Sequence, residues 1–244
     1  MISWNQWLIV VPARMHSTRL PRKPLADLGG LPMIIRVYQR LEAFAKLGAT
    51  VVVATDDQDI LQVCQKHSVP VEMTDVAHKS GTDRCAEVAK KFKQPFVLNV
   101  QGDEPFVDLE DLKGLLTKME KDGDPMGTMV YRNHHREEYE NANCVKAVVN
   151  DLGKAMYFSR SPLPYYRDPE NFEAFWQHIG VYAFTKKGLL EFCSLPQHAL
   201  ELAESLEQLR ALGNGLSIAV TEAKSPSLGI DTPQDLEAAR ARIR

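Results

Sequence analysis

The feature that most constrains this chain is a regular alternation, through its first half, of short apolar runs and segments with helical periodicity. Apolar residues recur at helical spacing between Ile34 and Ala45, and Gly48 then supplies a stop signal. Such an alternation is typical of parallel strands covered by helices on both faces of the sheet. The predicted strands of this half are residues 7–11, 50–54, 69–73 and 96–100.

The pattern changes from about residue 126. Two β-rich stretches, residues 145–150 and 155–159, flank a turn-forming Asp-Leu-Gly-Lys segment, which predicts an antiparallel hairpin. We therefore predict an α/β fold with a Rossmann-like, mostly parallel sheet, an antiparallel insert at about residues 126–184, and a single domain over residues 1–244. Further on, the spacing of three leucines predicts one helix that runs to about Leu212. These leucines are Leu202, Leu206 and Leu209.

Composition excludes several classes of protein. The chain has 29 Lys and Arg against 32 Asp and Glu, a net charge of −3, so we expect no nucleic acid as partner. No apolar stretch approaches the roughly 18 residues of a membrane span, so we expect no membrane partner. The 4 cysteines are far apart and form no metal-binding pair, which is typical of the reduced thiols of an intracellular protein.

The loop after the first strand is strongly basic. Residues 12–24 contain Arg14, Arg19, Arg22 and Lys23, three prolines and no acid. Ligands of open α/β sheets bind outside the carboxyl ends of the strands, which is where this loop lies. Because the chain has no glycine-rich phosphate motif, a bound phosphate would be held by side-chain cations as well as backbone amides. The alternative is a solvated basic loop.

Two acids stand at the ends of apolar runs. Asp103 follows a predicted central strand, and the next helical pattern begins only near Leu109, where Asp108 is better placed as the cap. Asp231 precedes Thr232, which already supplies the capping oxygen of the last helix. Together the two carboxylates would give Mg²⁺ the one or two protein ligands that it usually takes. The alternative for each is an ordinary capping or surface acid.

A third candidate segment begins a helix. Ser80, Gly81 and Thr82 can present amides and hydroxyls to an anion at a helix start, where Thr82 can serve as cap, and Arg84 adds a fork of donors. The alternative is an ordinary capped helix. On their own, His178 and the polar residues 204–210 are explained as structural or solvated side chains.

Taken together, these motifs resemble the sugar-nucleotide cytidylyltransferases, and along nearly the whole chain they are similar to the 3-deoxy-manno-octulosonate (Kdo) cytidylyltransferase family. One departure is Arg22, which stands where that family usually has glycine. The motifs that carry the resemblance are residues 11–25, Ala-Thr-Asp-Asp at 54–57, Ser-Gly-Thr-Asp-Arg at 80–84, Asn-Val-Gln-Gly-Asp-Glu-Pro at 99–105, Tyr-Phe-Ser-Arg-Ser-Pro at 157–162, His-Ile-Gly-Val-Tyr at 178–182, Glu-Gln-Leu-Arg at 207–210 and Gly-Ile-Asp-Thr-Pro at 229–233.

The resemblance implies a fold of the nucleotide-diphospho-sugar transferase type and transfer of CMP from CTP to the anomeric hydroxyl of Kdo, with release of pyrophosphate, for lipopolysaccharide biosynthesis. It also implies Mg²⁺ as cofactor and a cytoplasmic homodimer. The implied catalytic residues are Arg14, Lys23, Asp103 and Asp231, of which Asp103 and Asp231 would hold the metal. The implied nucleotide ligands are Pro12, Ala13, Arg14, Lys23, Ser80, Gly81, Thr82, Arg84 and Gln101, and the implied sugar ligands are Gln101, Arg160, His178, Tyr182, Glu207 and Gln208.

Other functions stay open on sequence alone. The acceptor sugar could be an amino-substituted Kdo or another keto-acid sugar. A metal-dependent glycosyltransferase would use Thr55-Asp56-Asp57 as its metal motif. A non-catalytic module would bind the nucleotide and release no pyrophosphate.

Overall fold

The computed structural model describes residues 1–17, 19–226 and 228–243, so Thr18, Ser227 and Arg244 lie outside the described residues. Short 3-10 turns occur at Trp4–Gln6, Lys23–Leu25 and Pro169–Asn171. The strands and helices are, in chain order, β1 (Trp7–Ala13), α1 (Met33–Lys46), β2 (Thr50–Thr55), α2 (Gln58–Lys66), β3 (Val71–Met73), α3 (Gly81–Lys91), β4 (Phe96–Asn99), α4 (Leu109–Asp122), β5 (Met126–Asn133), α5 (Arg136–Glu140), β6 (Lys146–Val149), β7 (Ala155–Ser159), β8 (Phe175–Thr185), α6 (Lys186–Ser194), α7 (Ala199–Glu204), α8 (Leu209–Gly213), β9 (Ile218–Ala223) and α9 (Pro233–Ile243).

The chain divides into two compact units. Unit 1 comprises Met1, Ser3–Leu109 and Ser227–Arg244, and unit 2 comprises Ile2 and Glu110–Pro226. The prediction of one domain with an insert stays a prediction.

Unit 1 is built on parallel strands. β1 pairs in parallel with β2 on one side and with β4 on the other, and β2 pairs in parallel with β3. All seven residues of β1 are buried, as a strand that is covered on both faces requires. The carboxyl ends of β1, β2 and β4 lie at one edge of this sheet. The predicted site residues of unit 1 lie at the end of β1 and in the segment after it, in the turn after β4, at the start of α3, which follows β3, and just before α9.

Unit 2 contains the antiparallel pairings. β5 pairs antiparallel with β8 and parallel with β9, while β6 pairs antiparallel with β7 and with β8. The predicted hairpin is present, since β6 and β7 are joined by a turn in which Gly153 has a positive φ of 67°. The predicted α/β fold class, with a mostly parallel sheet and antiparallel strands added to it, is confirmed.

The prediction of one helix through Leu202 and Leu209 is wrong. The chain forms two short helices, α7 and α8, and Ser205 between them has a left-handed backbone with φ of 52°. The reason is a buried ion pair in which the guanidinium of Arg210 donates to both carboxylate oxygens of Glu201, at 2.9 and 2.6 Å. Residues nine apart lie on opposite faces of a continuous helix, so this pair forms only if the helix is broken.

The prediction that Thr82 caps α3 is also wrong. Ser80 is the N-cap: its hydroxyl oxygen accepts from the Asp83 amide at 3.1 Å, and the Ser80 amide donates to the Asp83 carboxylate at 3.2 Å. Thr82 lies inside the first turn and is 2% exposed. The last helix begins as predicted, since Thr232 and Asp235 form the same reciprocal arrangement at the start of α9.

The remaining class predictions concern thiols and membranes. All 4 cysteines are thiols outside any disulfide bond, and three of them are buried. Among the described residues, no helix combines the length and the apolar character that a membrane crossing requires.

Candidate active site

A cavity of about 700 Å³ opens in unit 1 at the carboxyl ends of its parallel strands. Its wall combines the loop after β1, the start of α3, the turn after β4 and the segment that precedes α9. Most of the wall is polar, and cationic side chains are prominent in it. The lining residues are Pro12, Ala13, Arg14, His16, Ser17, Arg19, Lys23, Pro24, Lys79, Ser80, Gly81, Arg84, Gln101, Gly102, Asp103 and Asp231.

The cations of the wall fall into two groups. Arg14 and Lys79 are exposed and make no hydrogen bond or ion pair with any described residue. Arg19 and Lys23 are instead paired with acids, and Arg19 contacts Asp231 at 3.0 Å. The unpaired cations are available to an anionic ligand, whereas the paired ones are held by carboxylates in this structure.

Arg22 precedes the 3-10 turn Lys23–Leu25 in the basic loop. Its φ is 54°, a left-handed conformation that favours glycine, and its guanidinium pairs with Asp59 at 2.8 Å. The family resemblance gave glycine at this position, and the backbone conformation supplies the reason. The ion pair holds Arg22 on the outside of the loop, since it does not line the cavity.

Two acids that are far apart in sequence meet at one cation. The ammonium of Lys23 donates to Oδ2 of Asp103 and to Oδ1 of Asp231, the latter at 2.9 Å. The backbone brings the acids together, because the amide of Ile230 donates to the carbonyl of Asp103 at 3.0 Å. Burial by itself lowers the pKa of Lys23, but the charges and hydrogen bonds of the two carboxylates outweigh burial and raise it.

The same arrangement tests whether a divalent cation fits. No group of three or more metal-ligating side chains occurs among the residues described. Asp103 and Asp231 nevertheless direct oxygen atoms to a common point, where the Lys23 ammonium stands in for a cation. Hard oxygen donors of this number suit Mg²⁺, which usually takes one or two carboxylates and completes its shell with water and phosphate.

The start of α3 packs against the carboxyl end of β1. A side chain at Gly81 would approach Cγ of Pro12 at 3.1 Å, so glycine allows the close contact. Arg84 is only 3% exposed, and its guanidinium donates to Asp56 at 2.6 Å and to Thr74 at 2.8 Å. Ser80, Gly81 and Arg84 line the cavity, whereas Thr82 does not. The predicted nucleotide ligands of this segment are therefore brought together except for Thr82.

The turn after β4 contributes Gln101. Its side-chain amide donates to Oδ1 of Asn99 at 3.3 Å, and a side chain at Gly102 would lie 2.9 Å from the carbonyl of Pro12. Asn99 is fully buried, and its own amide nitrogen has no hydrogen-bond partner among the described residues. Sequence reasoning missed Asn99, although a polar residue inside an apolar run was a signal.

In unit 2 the predicted sugar ligands His178, Tyr182, Glu207 and Gln208 form one cluster, and Arg160 is bonded to other residues. The hydroxyl of Tyr182 donates to Gln208 at 3.1 Å, and the Tyr182 ring lies 5.6 Å from the ring of His178. The amide nitrogen of Gln208 is buried and has no hydrogen-bond partner among the residues described. Glu207 follows beside it, 3.9 Å from Arg210. Arg160 is held by other partners, Glu204 and Ala142.

Burial controls the protonation of this cluster. It lowers the pKa of His178 from 6.5 to about 3, so the imidazole is neutral at physiological pH. Burial, with a further contribution from the charge of Glu207, raises the pKa of Tyr182, so its hydroxyl keeps its proton. Sequence reasoning missed Thr128, whose hydroxyl lies 3.0 Å from Nε2 of His178 and fixes the ring.

Comparison with known proteins yields consistent matches. A sequence family described as "Cytidylyltransferase" matches residues 8–218. A 3-deoxy-manno-octulosonate cytidylyltransferase of Wolinella succinogenes is 42% identical over 241 residues, which cover 95% of this chain and 97% of the relative. The enzyme of the same name from Geobacter sulfurreducens is 43% identical, with 96% of this chain and 98% of the relative covered.

Solved structures agree with the sequence matches. The structure of CMP:2-keto-3-deoxy-manno-octonic acid synthetase complexed with CTP superposes with a TM-score of 0.91 at 41% identity, covering 97% of this chain and 98% of that one. HddC from Yersinia pseudotuberculosis superposes with a TM-score of 0.71 at 14% identity, covering 97% of this chain and 99% of that one, and shares the fold.

Proposed function

This chain belongs to the cytidylyltransferase family, and we propose that it transfers CMP from CTP to the anomeric hydroxyl of 3-deoxy-manno-octulosonate, releasing pyrophosphate. The observation that carries this proposal is the convergence of Asp103 and Asp231 on one cation in a cavity lined by further cations. The substrates are supported by the names of relatives that match nearly the whole chain and by the CTP named with the most similar structure described above.

The reaction requires that repulsion between two anions be overcome. The hydroxyl of the sugar loses its proton to water and its oxygen attacks the α-phosphorus, the bond from that phosphorus to the bridging oxygen breaks, and pyrophosphate leaves with the electron pair. A sugar carboxylate and a triphosphate repel each other unless cations neutralise both. Arg14 and Lys79 are exposed in the cavity wall and have no partner in the part of the chain that the structure describes, so we assign them to the triphosphate.

Asp103 and Asp231 are the side chains that would hold the metal, which we propose is Mg²⁺. When bound, Mg²⁺ neutralises phosphate charge and lowers the pKa of a coordinated hydroxyl. Lys23 is within hydrogen-bond reach of both carboxylates. We propose that its ammonium turns from the two acids to the phosphates when substrate binds, and there stabilises the departing charge with Arg14.

The nucleotide is proposed to contact the backbone of Pro12 and Ala13, the start of α3 at Ser80 and Gly81, and Gln101. All of these line the cavity. Arg84 lines it as well, but its guanidinium is already engaged by Asp56. We therefore assign Arg84 the task of bracing this wall in addition to any contact with the nucleotide. Thr82, which is buried in α3, stays a prediction.

In unit 2 we propose that the sugar contacts Arg160, His178 and the residues around Gln208. The buried amide nitrogen of Gln208 supports this, because an unsatisfied donor costs free energy that a hydroxyl acceptor would recover. Arg160 supplies a planar fork suited to a carboxylate. The proposed sugar ligands are thus Arg160, His178, Tyr182, Glu207 and Gln208, and Gln101 in unit 1 stays a prediction.

The rival metal motif is engaged in structural contacts. Asp56 accepts from the buried guanidinium of Arg84 at 2.6 Å, and Asp57 caps α2 by accepting from the amides of Asp59 and Ile60 at 2.8 and 3.1 Å. Carboxylates used in this way do not favour the metal-dependent glycosyltransferase.

Pyrophosphate release, measured with each ribonucleoside triphosphate with and without Kdo, tests the proposal. We expect release only with CTP, Kdo and a divalent cation together. If pyrophosphate is released faster with an amino-substituted Kdo than with Kdo, the acceptor is the amino-substituted sugar. Binding of CTP with no release for any sugar would indicate a non-catalytic module and refute the proposal.

We also propose a homodimer. The hairpin of unit 2 supports this, because Leu152 and Met156 are 78% and 60% exposed there. Light scattering on the purified chain, with Met156→Glu as the disrupting variant, would test it.

A further inference from the structure

A lysine is completely buried in unit 2. Lys146 is 0% exposed, and its ammonium donates to the backbone carbonyls of Asn141 at 2.9 Å, Cys144 at 2.7 Å and Arg160 at 2.5 Å. It takes part in no ion pair among the residues described. Burying an ammonium without a carboxylate partner costs free energy, and hydrogen bonds to three carbonyls offset that cost. The same bonds fix the positions of the three carbonyls.

One of those carbonyls belongs to Arg160, which is also held at three other points. Its amide donates to Oε2 of Glu204 at 2.8 Å, its Nε to the Glu204 carbonyl at 2.7 Å, and its Nη1 to the Ala142 carbonyl at 3.0 Å. The other oxygen of Glu204 accepts from the hydroxyl of Ser159 at 2.6 Å. Arg160 Nη2 has no hydrogen-bond partner among the described residues.

These contacts restrict a side chain that is normally mobile. An arginine on a surface samples many rotamers, and fixing it costs about 2 kcal/mol of rotamer entropy. Here the guanidinium is fixed in advance by groups on both sides, and one edge is left open. A surface arginine that binds no ligand gains nothing from being fixed. An arginine that binds a planar anion gains affinity, because the entropy of its side chain has been lost before the ligand arrives.

We propose that Lys146 is a positioning residue for acceptor-sugar binding: through its bond to the Arg160 carbonyl, and together with Glu204, it fixes the Arg160 guanidinium for the carboxylate of the sugar. Lys146 itself does not touch the substrate. This inference rests on the proposed function, since it takes the acidic sugar as the ligand of Arg160.

The test measures initial rates of pyrophosphate release while Kdo and CTP are varied separately. Lys146→Met, which keeps the length of the side chain and removes its donors, should raise the KM for Kdo about 10- to 100-fold. The KM for CTP should change by less than about twofold, because the proposed nucleotide contacts lie in unit 1. Lys154→Met, which removes a half-buried lysine paired with Asp124 in the same unit, is the matched control and should leave both constants unchanged.

A double-mutant cycle separates positioning from general weakening of the fold. If Lys146 acts through Arg160, Lys146→Met should add nothing to the KM for Kdo in an Arg160→Met background. Glu204→Ala should behave like Lys146→Met, because it removes the other bonds that hold Arg160. If Lys146→Met does not fold, Lys146→Gln, whose side-chain amide can still donate to a carbonyl, takes its place in the same cycle and should raise the KM for Kdo by a smaller factor.

The outcomes are distinguishable. Three results would overturn the positioning role: additive effects in the double variant, equal rises in both KM values, or an unchanged KM for Kdo in a folded Lys146 variant. In each case the wild-type protein still releases pyrophosphate, so the proposed function is unaffected. A wild-type protein that releases no pyrophosphate with CTP and Kdo would overturn the proposed function, and this inference with it.

Discussion

His178→Gln replaces a titrating ring by a neutral side chain that can still hydrogen-bond to Thr128. The imidazole lies against the rings of Phe158 and Tyr182, at 4.9 and 5.6 Å, and burial lowers its pKa from 6.5 to about 3. A proton therefore binds the unfolded chain below pH 6.5 but binds the native chain only near pH 3. The stability that neutral His178 provides is fully present above pH 6.5 and is lost as the pH falls from 6.5 towards 3.

The size of this loss follows from the two pKa values. At about pH 4.5, two pH units below the ordinary pKa, the unfolded chain is protonated and the native chain is not. At 1.36 kcal/mol for each pH unit, the free energy of unfolding should be lower by about 3 kcal/mol than it is above neutrality.

Urea unfolding at about pH 7.5 and about pH 4.5, for the wild type and for His178→Gln, measures the difference directly. Other acids and bases titrate in both proteins, so they cancel when the two pH dependences are subtracted. The wild type should lose about 3 kcal/mol more than the variant. Equal losses, or an imidazole whose NMR resonance titrates near pH 6.5, would refute the reasoning.

Three further substitutions test other parts of the structure. Asp103→Asn should lower turnover at least about 100-fold while the melting temperature stays nearly unchanged, and comparable activity in the variant would contradict the metal assignment. Glu201→Ala should lower the free energy of unfolding in urea by about 3 kcal/mol, because it leaves the buried Arg210 guanidinium with the more distant carboxylate of Glu207, at 3.9 Å. Gly188→Ala should cost more than about 2 kcal/mol in the same assay, since its new Cβ would lie 2.2 Å from the carbonyl of Pro125. An unchanged unfolding curve for either variant would show that the packing described here is wrong.

Much of the site could be predicted because its position depends on local patterns. Asp103 and Asp231 are predicted as a pair because each follows an apolar run. Asp103 does follow a parallel strand, β4, whereas residues 228–230 form no strand and reach Asp103 through the bond from the Ile230 amide to the Asp103 carbonyl. The capping box at Thr232 was equally local. Where a prediction depended on periodicity or on capping chemistry, short segments of sequence contained the necessary information.

Contacts between distant residues could not be read in this way. The left-handed Ser205 follows from the buried pair of Glu201 with Arg210, and a leucine spacing typical of one helix gave no sign of it. Lys146 has the sequence context of an ordinary strand lysine, and only the folded chain shows the three carbonyls around its ammonium. Lys23 was predicted as a phosphate ligand, but nothing in its neighbourhood indicated which acids it would contact.

The bond from Lys23 to both acids has a consequence for how this protein withstands metal starvation. Two carboxylates held side by side repel each other, and in many metalloproteins the ion that relieves this strain also maintains the fold. Here the chain provides its own counter-charge. A chelator should therefore stop turnover without lowering the melting temperature, and activity should return at once when the divalent ion is restored, with no refolding step.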